Sequence, residues 1–147
     1  MADRVSVTIR ISGTVAAAER DTLVQIVNDE ALSIEWDGPE FDDTQFPSGA
    51  ALRLHAHEVG WGKLDDLEAF CIERALPFVR WSGGYVGAFG PEIEVFTGAG
   101  DPKTFAADEE EQPVMCRATA ARLGDFAAIM AYFDAADFVV PPLVVGP

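Results

Sequence analysis

Hydrophobic and polar residues alternate from near the start of the chain. Val5, Val7, Ile9 and Ile11 interleave with Ser6, Thr8, Arg10 and Ser12, the period of a strand with one apolar and one wet face. Gly13 and Thr14 end that run, and Thr14 stands where a helix cap belongs. From Ala16 to about Asn28 the period becomes helical: Leu23, Ile26 and Val27 share a face, with Glu19, Arg20 and Asp21 in the early turns. A short strand is predicted at Ser33 to Trp36. Asp37 to Ala50 is rich in turn formers and acids and reads as a loop, pinned to the body by Phe41 and Phe46.

Ala51 to Val59 alternates again. Leu52, Leu54 and Ala56 face one way, and Arg53, His55 and His57 the other. With regular pairing, Glu58 points away from the histidines. Lys63 to Ala75 is predicted helical, with Leu64, Leu67, Phe70 and Cys71 as its apolar stripe, and Pro77 prevents its continuation. Phe78 to Trp81 reads as a strand, followed by a loop loosened by Gly83, Gly84, Gly87 and Gly90. In the next strand, Glu92 to Thr97, Ile93 and Val95 alternate with Glu92 and Glu94. Gly98 to Gln112 is loop-like, and Val114 to about Arg117 reads as a short strand. Asp125 to Ala136 carries Phe126, Ile129, Met130 and Phe133 along one helical face. The apolar tail, Asp137 to Pro147, is extended because its prolines exclude helix, and it is expected to pack along the same chain.

The order strand, helix, strand, strand, helix, strand matches a split strand-helix-strand unit, with two helices on one face of an antiparallel sheet. The fold class expected is therefore α+β. Residues 1–98 form a ferredoxin-like core, residues 99–147 a C-terminal extension packed on it, and the whole a single domain of 147 residues.

Charge changes the functional picture. The chain carries 25 acidic against 10 basic residues, a formal net charge of −15. Direct binding of nucleic acid or an anionic membrane usually needs clustered Lys and Arg, so both are disfavoured. No apolar run approaches the roughly 18 residues of a membrane span, and no signal-peptide block opens the sequence, so a cytoplasmic protein is expected. Cys71 and Cys116, each in an apolar context, read as buried free thiols with no metal or redox spacing.

The candidate chemistry is sparse. His55 and His57 project to one side of their strand, but no third histidine or cysteine completes a zinc set, and no metal or cofactor is predicted. Arg80 beside Trp81 has the composition of a binding hot spot. Ser82 fails the nucleophile-elbow pattern because Arg80 stands where glycine is required. The glycines after it lack the Walker lysine and the dinucleotide spacing. Trp61, between Gly60 and Gly62, reads as a buried junction residue, the alternative being the rim of a cleft with Trp81.

Two main readings follow. In the first, the chain is a non-catalytic interaction protein whose acids engage a basic protein partner. Glu40, Asp42, Asp43, Asp108, Glu109, Glu110 and Glu111 are the contact candidates. Small acidic inhibitors of nucleases, of restriction systems and of CRISPR complexes share this gross chemistry by mimicking nucleic acid, although no motif here assigns the chain to one of their families. In the second, a small enzyme or ligand-binding domain uses Arg53, His55, His57, Arg80, Trp81 and Tyr85. A structural homodimer paired through the sheet or the apolar tail is a third reading.

Overall fold

β-Branched residues and helix formers sort the chain into seven strands and four helices in a computed structural model that describes residues 4–146. Residues 1–3 and 147, included in the sequence reading of the first strand's lead and of the tail, lie outside the described residues. The strands are β1 Arg4–Ile11, β2 Gly13–Val15, β3 Leu52–Gly60, β4 Phe78–Ser82, β5 Glu92–Phe96, β6 Lys103–Ala106 and β7 Leu143–Val145. The helices are α1 Arg20–Asp29, α2 Asp65–Glu73, α3 Arg117–Leu123 and α4 Phe126–Ala136.

Five strands form one antiparallel sheet in the order β3-β1-β4-β5-β6. β2 and β7 pair separately and in parallel, Gly13 to Val15 against Leu143 to Val145. The protein is thus α+β with a five-stranded antiparallel sheet. Among the described residues, no helix is long and apolar enough to cross a membrane.

The sheet has a core on each face. On one side, Val7, Ile9, Ile11, Leu52, Leu54, Phe78 and Phe96 pack with Leu23 and Val27 of α1 and Leu67, Phe70 and Cys71 of α2. On the other, Val79, Trp81, Ile93, Val95 and Phe105 pack with Ala136 of α4, and Tyr132, Phe138 and Val140 lean on them. All five residues of β4 are buried, including Arg80. The wet face expected of β1 is therefore dry at its middle, where Thr8 is buried, and open at Arg10.

Several elements differ from the sequence expectation, each for a local reason. Thr14 caps nothing: it lies in β2, and a 3-10 turn at Ala17–Glu19 leads into α1. The strand expected at Ser33 to Trp36 shrinks to one bridge, with Ser33 and His55 exchanging backbone bonds of 3.0 and 2.8 Å. Beyond it the chain turns: Gly38 N–H donates to Glu35 O, Asp37 takes a left-handed φ of 56°, and the Ser33 hydroxyl donates to Pro39 O. Local turn bonds win over the ladder. Val114 gives one backbone bond to Ala106, but residues 114–116 are irregular where a strand is expected, and α3 follows from Arg117 until Gly124 ends it at φ 87°. On α4 the apolar stripe faces outward at Phe126 and Met130, while Ala136 and Tyr132 meet the sheet. Cys71 is buried as expected, and Cys116 is exposed because the short α3 begins at the surface.

The 37–50 loop is tied down by a side chain. Asn28 donates its amide N–H to Phe41 O (2.8 Å) and accepts from Phe41 N–H (2.9 Å), while the buried Phe41 ring meets Phe46 edge-on. Asn28→Ala strands both Phe41 backbone groups and should cost about 2 kcal/mol, read as a lower denaturant midpoint at unchanged slope.

Candidate functional site

The six residues singled out for ligand binding do not form one site. Arg53, His55 and His57 share one face of β3, and Trp81 stands in their row, because Thr8 pairs with His55 on one side and Trp81 on the other. Arg80 points to the opposite face, and Tyr85 sits in the loop between β4 and β5. Trp81 is buried, with its indole N–H donating to Asp108 O at 2.9 Å.

The histidines form a stacked group that a β-bulge sets up. Val5 pairs with Val59 and Val7 with Ala56, so His57 and Glu58 together oppose Ser6. Glu58 takes a left-handed φ of 55°, so the regular alternation expected there breaks. Trp36 stacks on His57 at 4.6 Å between ring centres and meets His55 tilted, at 4.5 Å. Thr8 Oγ1 is hydrogen-bonded to His55 Nδ1 (2.9 Å) and Ser6 Oγ to His57 Nδ1 (3.1 Å). Asp37 Oδ2 lies 3.5 Å from His57 Nε2, an ion-pair distance without a hydrogen bond, so a hydroxyl, an imidazole and a carboxylate stand in series with the carboxylate end loose. Burial, with the charges of Arg53 and His57, holds the His55 imidazole below its usual pKa. Asp37, however, is 82% exposed, and its charge is largely spent on water, which weakens it as the orienting carboxylate of a catalytic set. Ser6, Trp36 and Asp37 escaped the sequence reading because only the bulge and the turn at Asp37 bring them here.

On the other face lies a buried ionic cluster. Arg80 is fully buried, with Nε 3.0 Å from Glu68, and Nη2 3.1 Å from Glu92 and 3.4 Å from Glu94. Its Nη1 donates to Gly62 O (2.7 Å) and to the Ser82 hydroxyl. One guanidinium cannot balance three ionised carboxylates where Glu68 and Glu94 are largely removed from water and only Glu92 reaches the surface. Burial, together with a hydrogen bond to Glu94, pushes the Glu68 carboxyl up to about 8, so it carries a proton at neutral pH. Glu68 also accepts the Leu64 N–H (2.8 Å) at the start of α2. The Arg80 seen in sequence as a hot spot is thus an internal tie between β4, β5, α2 and the turn before α2.

That turn projects a ring into water. Trp61 (φ 56°) and Gly62 (φ 66°) are both left-handed, and Trp61 is 53% exposed, not buried as expected. Phe89 lies 5.8 Å from it, and Tyr85 6.4 Å from Phe89. Gly60, Trp61, Lys63, Asp65, Ala88, Phe89 and Glu92 line an open cleft of about 480 Å³. The glycine loop beside it is held, not floppy. Gly83 N–H donates to Ser6 O, Tyr85 N–H to Phe89 O, and Gly84 N–H to a Glu109 carboxylate oxygen (2.8 Å).

The acidic candidates divide by role. Asp42 caps the 3-10 turn Asp43–Gln45, accepting from Thr44 N–H. Asp108 accepts from Glu110 and Gln112 N–H and holds its own turn. Glu109 binds the glycine loop, Glu111 lies 3.8 Å from Arg53, and Asp43 3.7 Å from Arg20. Glu40 and Glu110 are exposed. Among the described residues, no group of three or more His, Cys, Asp or Glu side chains is placed to hold a metal ion. Comparison of the chain with protein-family models, with curated proteins and with solved structures found no match.

Proposed function

We propose that the chain is an acidic, non-catalytic interaction protein of the cytoplasm. It engages a basic protein partner, one that itself handles nucleic acid, and inhibits it by standing where the nucleic acid would lie. One observation carries this reading: carboxylates outnumber cations on the surface, and four of the ten Lys and Arg side chains lie against carboxylates. Arg80 is enclosed by three glutamates, and Arg20, Arg53 and Arg74 each lie within 4 Å of a carboxylate. Glu35, Glu40, Glu58, Asp65, Asp66 and Glu110 are left on the surface. Such a surface repels phosphate and steers cations, with a strong salt dependence of the association rate.

The scaffold is read as ferredoxin-like, with its second strand worn down to the Ser33 bridge. The order Ser33-β3-β1-β4, with α1 and α2 on one face, supports it, and β5, β6 and the segment beyond are additions. Fold alone implies no activity.

The test is affinity capture with wild type and with a variant carrying Glu40→Gln, Asp43→Asn and Glu110→Gln, which spares the turn-capping acids. Wild type should retain a basic, nucleic-acid-binding protein in stoichiometric yield, displaced by duplex DNA, and the variant should retain several-fold less. Capture of no basic protein, or equal capture by both, would sink the reading. The Ser6–His57–Asp37 chain favours a second reading, a small hydrolytic or ligand-binding domain, in which capture is irrelevant and His57→Ala abolishes function. Under the first reading that substitution leaves capture unchanged.

A further inference from the structure

We infer that the cleft between Trp61 and Phe89 receives a cationic side chain, arginine or lysine, from the basic partner. The inference rests on the interaction reading above and names its point of contact. Trp61, Tyr85 and Val86 are 53, 44 and 99% exposed, and they come from two neighbouring loops. Exposed rings clustered with a rim of charge are the composition of an interface centre, not of a scattered surface. Charge at the rim is negative on balance: Asp65 and Glu92 line the cleft beside the single ammonium of Lys63, Glu92 shares Arg80 with Glu94, and Glu109 ties down the adjoining loop. Phosphate is repelled there, whereas a guanidinium or ammonium finds ring faces for cation–π contact and carboxylates for hydrogen bonds.

The site is also built in advance. Gly62 O is fixed by Arg80 Nη1 and by the Ser82 hydroxyl, Gly62 N–H donates to Val59 O, and Lys63 N–H to Gly60 O. Arg80 also holds Glu92 at 3.1 Å, so one wall of the cleft stands on the buried ionic cluster. A rigid wall lowers the ordering cost of binding. The volume of about 480 Å³ exceeds what one long side chain fills and leaves room for the flanking backbone.

The experiment titrates the intact chain with a hexa-arginine peptide, a hexa-aspartate peptide and a six-nucleotide oligothymidine, read by amide chemical shifts and tryptophan fluorescence. Hexa-arginine should bind, with shifts concentrated on residues 60–65 and 83–92. Trp61→Ala should weaken it roughly tenfold. Phe126→Ala, an exposed ring on α4, should leave the affinity unchanged, and amide shifts of free Trp61→Ala outside residues 60–65 and 83–92 should match wild type, which controls for loss of fold. Equal affinity of Trp61→Ala and wild type, with shifts spread over the acidic surface, would overturn the cleft while sparing the basic-partner reading. Preference for oligothymidine or hexa-aspartate would overturn the cationic occupant. Loss of capture in Trp61→Ala, with the amide variant capturing normally, would spare the cleft and sink the reading based on the acidic loops.

Discussion

Replacing Arg80 by methionine is expected to destabilise the fold by about 3–5 kcal/mol, because it leaves glutamates facing one another without their cation. Gly62 O and the Ser82 hydroxyl lose a donor in the same step. Denaturant unfolding at neutral pH measures the loss as a lower midpoint. The triple change Arg80→Met, Glu68→Gln, Glu94→Gln should recover much of it, since neutral amides need no counterion. A loss below about 1 kcal/mol in the single variant would show that the cluster is not what ties α2 to the sheet.

Glu68 of that cluster and Glu30, separately placed at the end of α1, set a pH dependence whose sign is fixed. Glu68 is pushed up to about 8 and Glu30, also by burial, up to about 7. In the unfolded chain both titrate near the ordinary glutamate value. Between those limits the folded state holds more protons, so stability falls as pH rises from the ordinary glutamate range, and the loss is complete once pH has passed about 8. His55 acts in another window: its lowered folded value removes stability only as pH falls below about 6.5. The interval from pH 6.5 to 8.5 therefore isolates the acids. Wild type should lose stability across it, and Glu68→Gln should flatten the slope.

The second large effect is expected at Gly62. A Cβ there would lie 2.7 Å from Ser82 Cβ and 3.0 Å from Val5 Cγ2, on a backbone at φ 66°. Gly62→Ala combines a left-handed penalty with overpacking, about 2–4 kcal/mol together, and lowers Tm by roughly 5–15 °C at this chain length. Gly87→Ala is the control. Its φ is 84°, yet nothing lies within 4 Å of the added methyl. It should cost only about 1 kcal/mol, and equal losses at the two positions would refute the crowding argument.

Much of the fold was legible because burial follows period. The faces of β1, β3 and β5, and the stripe of α2, sit as Val7, Leu54, Ile93 and Leu67 required. What periodicity cannot report is which partner covers a face. β4 is buried on both sides, so Arg80 next to Trp81 reads alike whether it meets solvent or carboxylates. The available signal was Glu92 and Glu94, on the strand face whose Phe96 lies in the core shared with α1 and α2. α3 was missed because its Ala-rich seven residues bury nothing, although Gly124 marks its end. The histidine neighbourhood was half visible: the pair could be read, but the bulge opposite Ser6 and the turn that delivers Trp36 and Asp37 depend on tertiary context. Trp61 was misjudged because size argues for burial, while its left-handed backbone directs the ring outward.

The parallel pairing of β2 with β7 has a temporal consequence. On the ribosome, Gly13 to Val15 emerges well before its strand partner among the described residues, Leu143 to Val145. At roughly 5–20 residues per second, that edge waits on the order of ten seconds for Leu143 to Val145. Until then Val15 has no Val145 beside it, so the nascent protein passes through a stage with an open seam, available to chaperones or to a neighbouring chain.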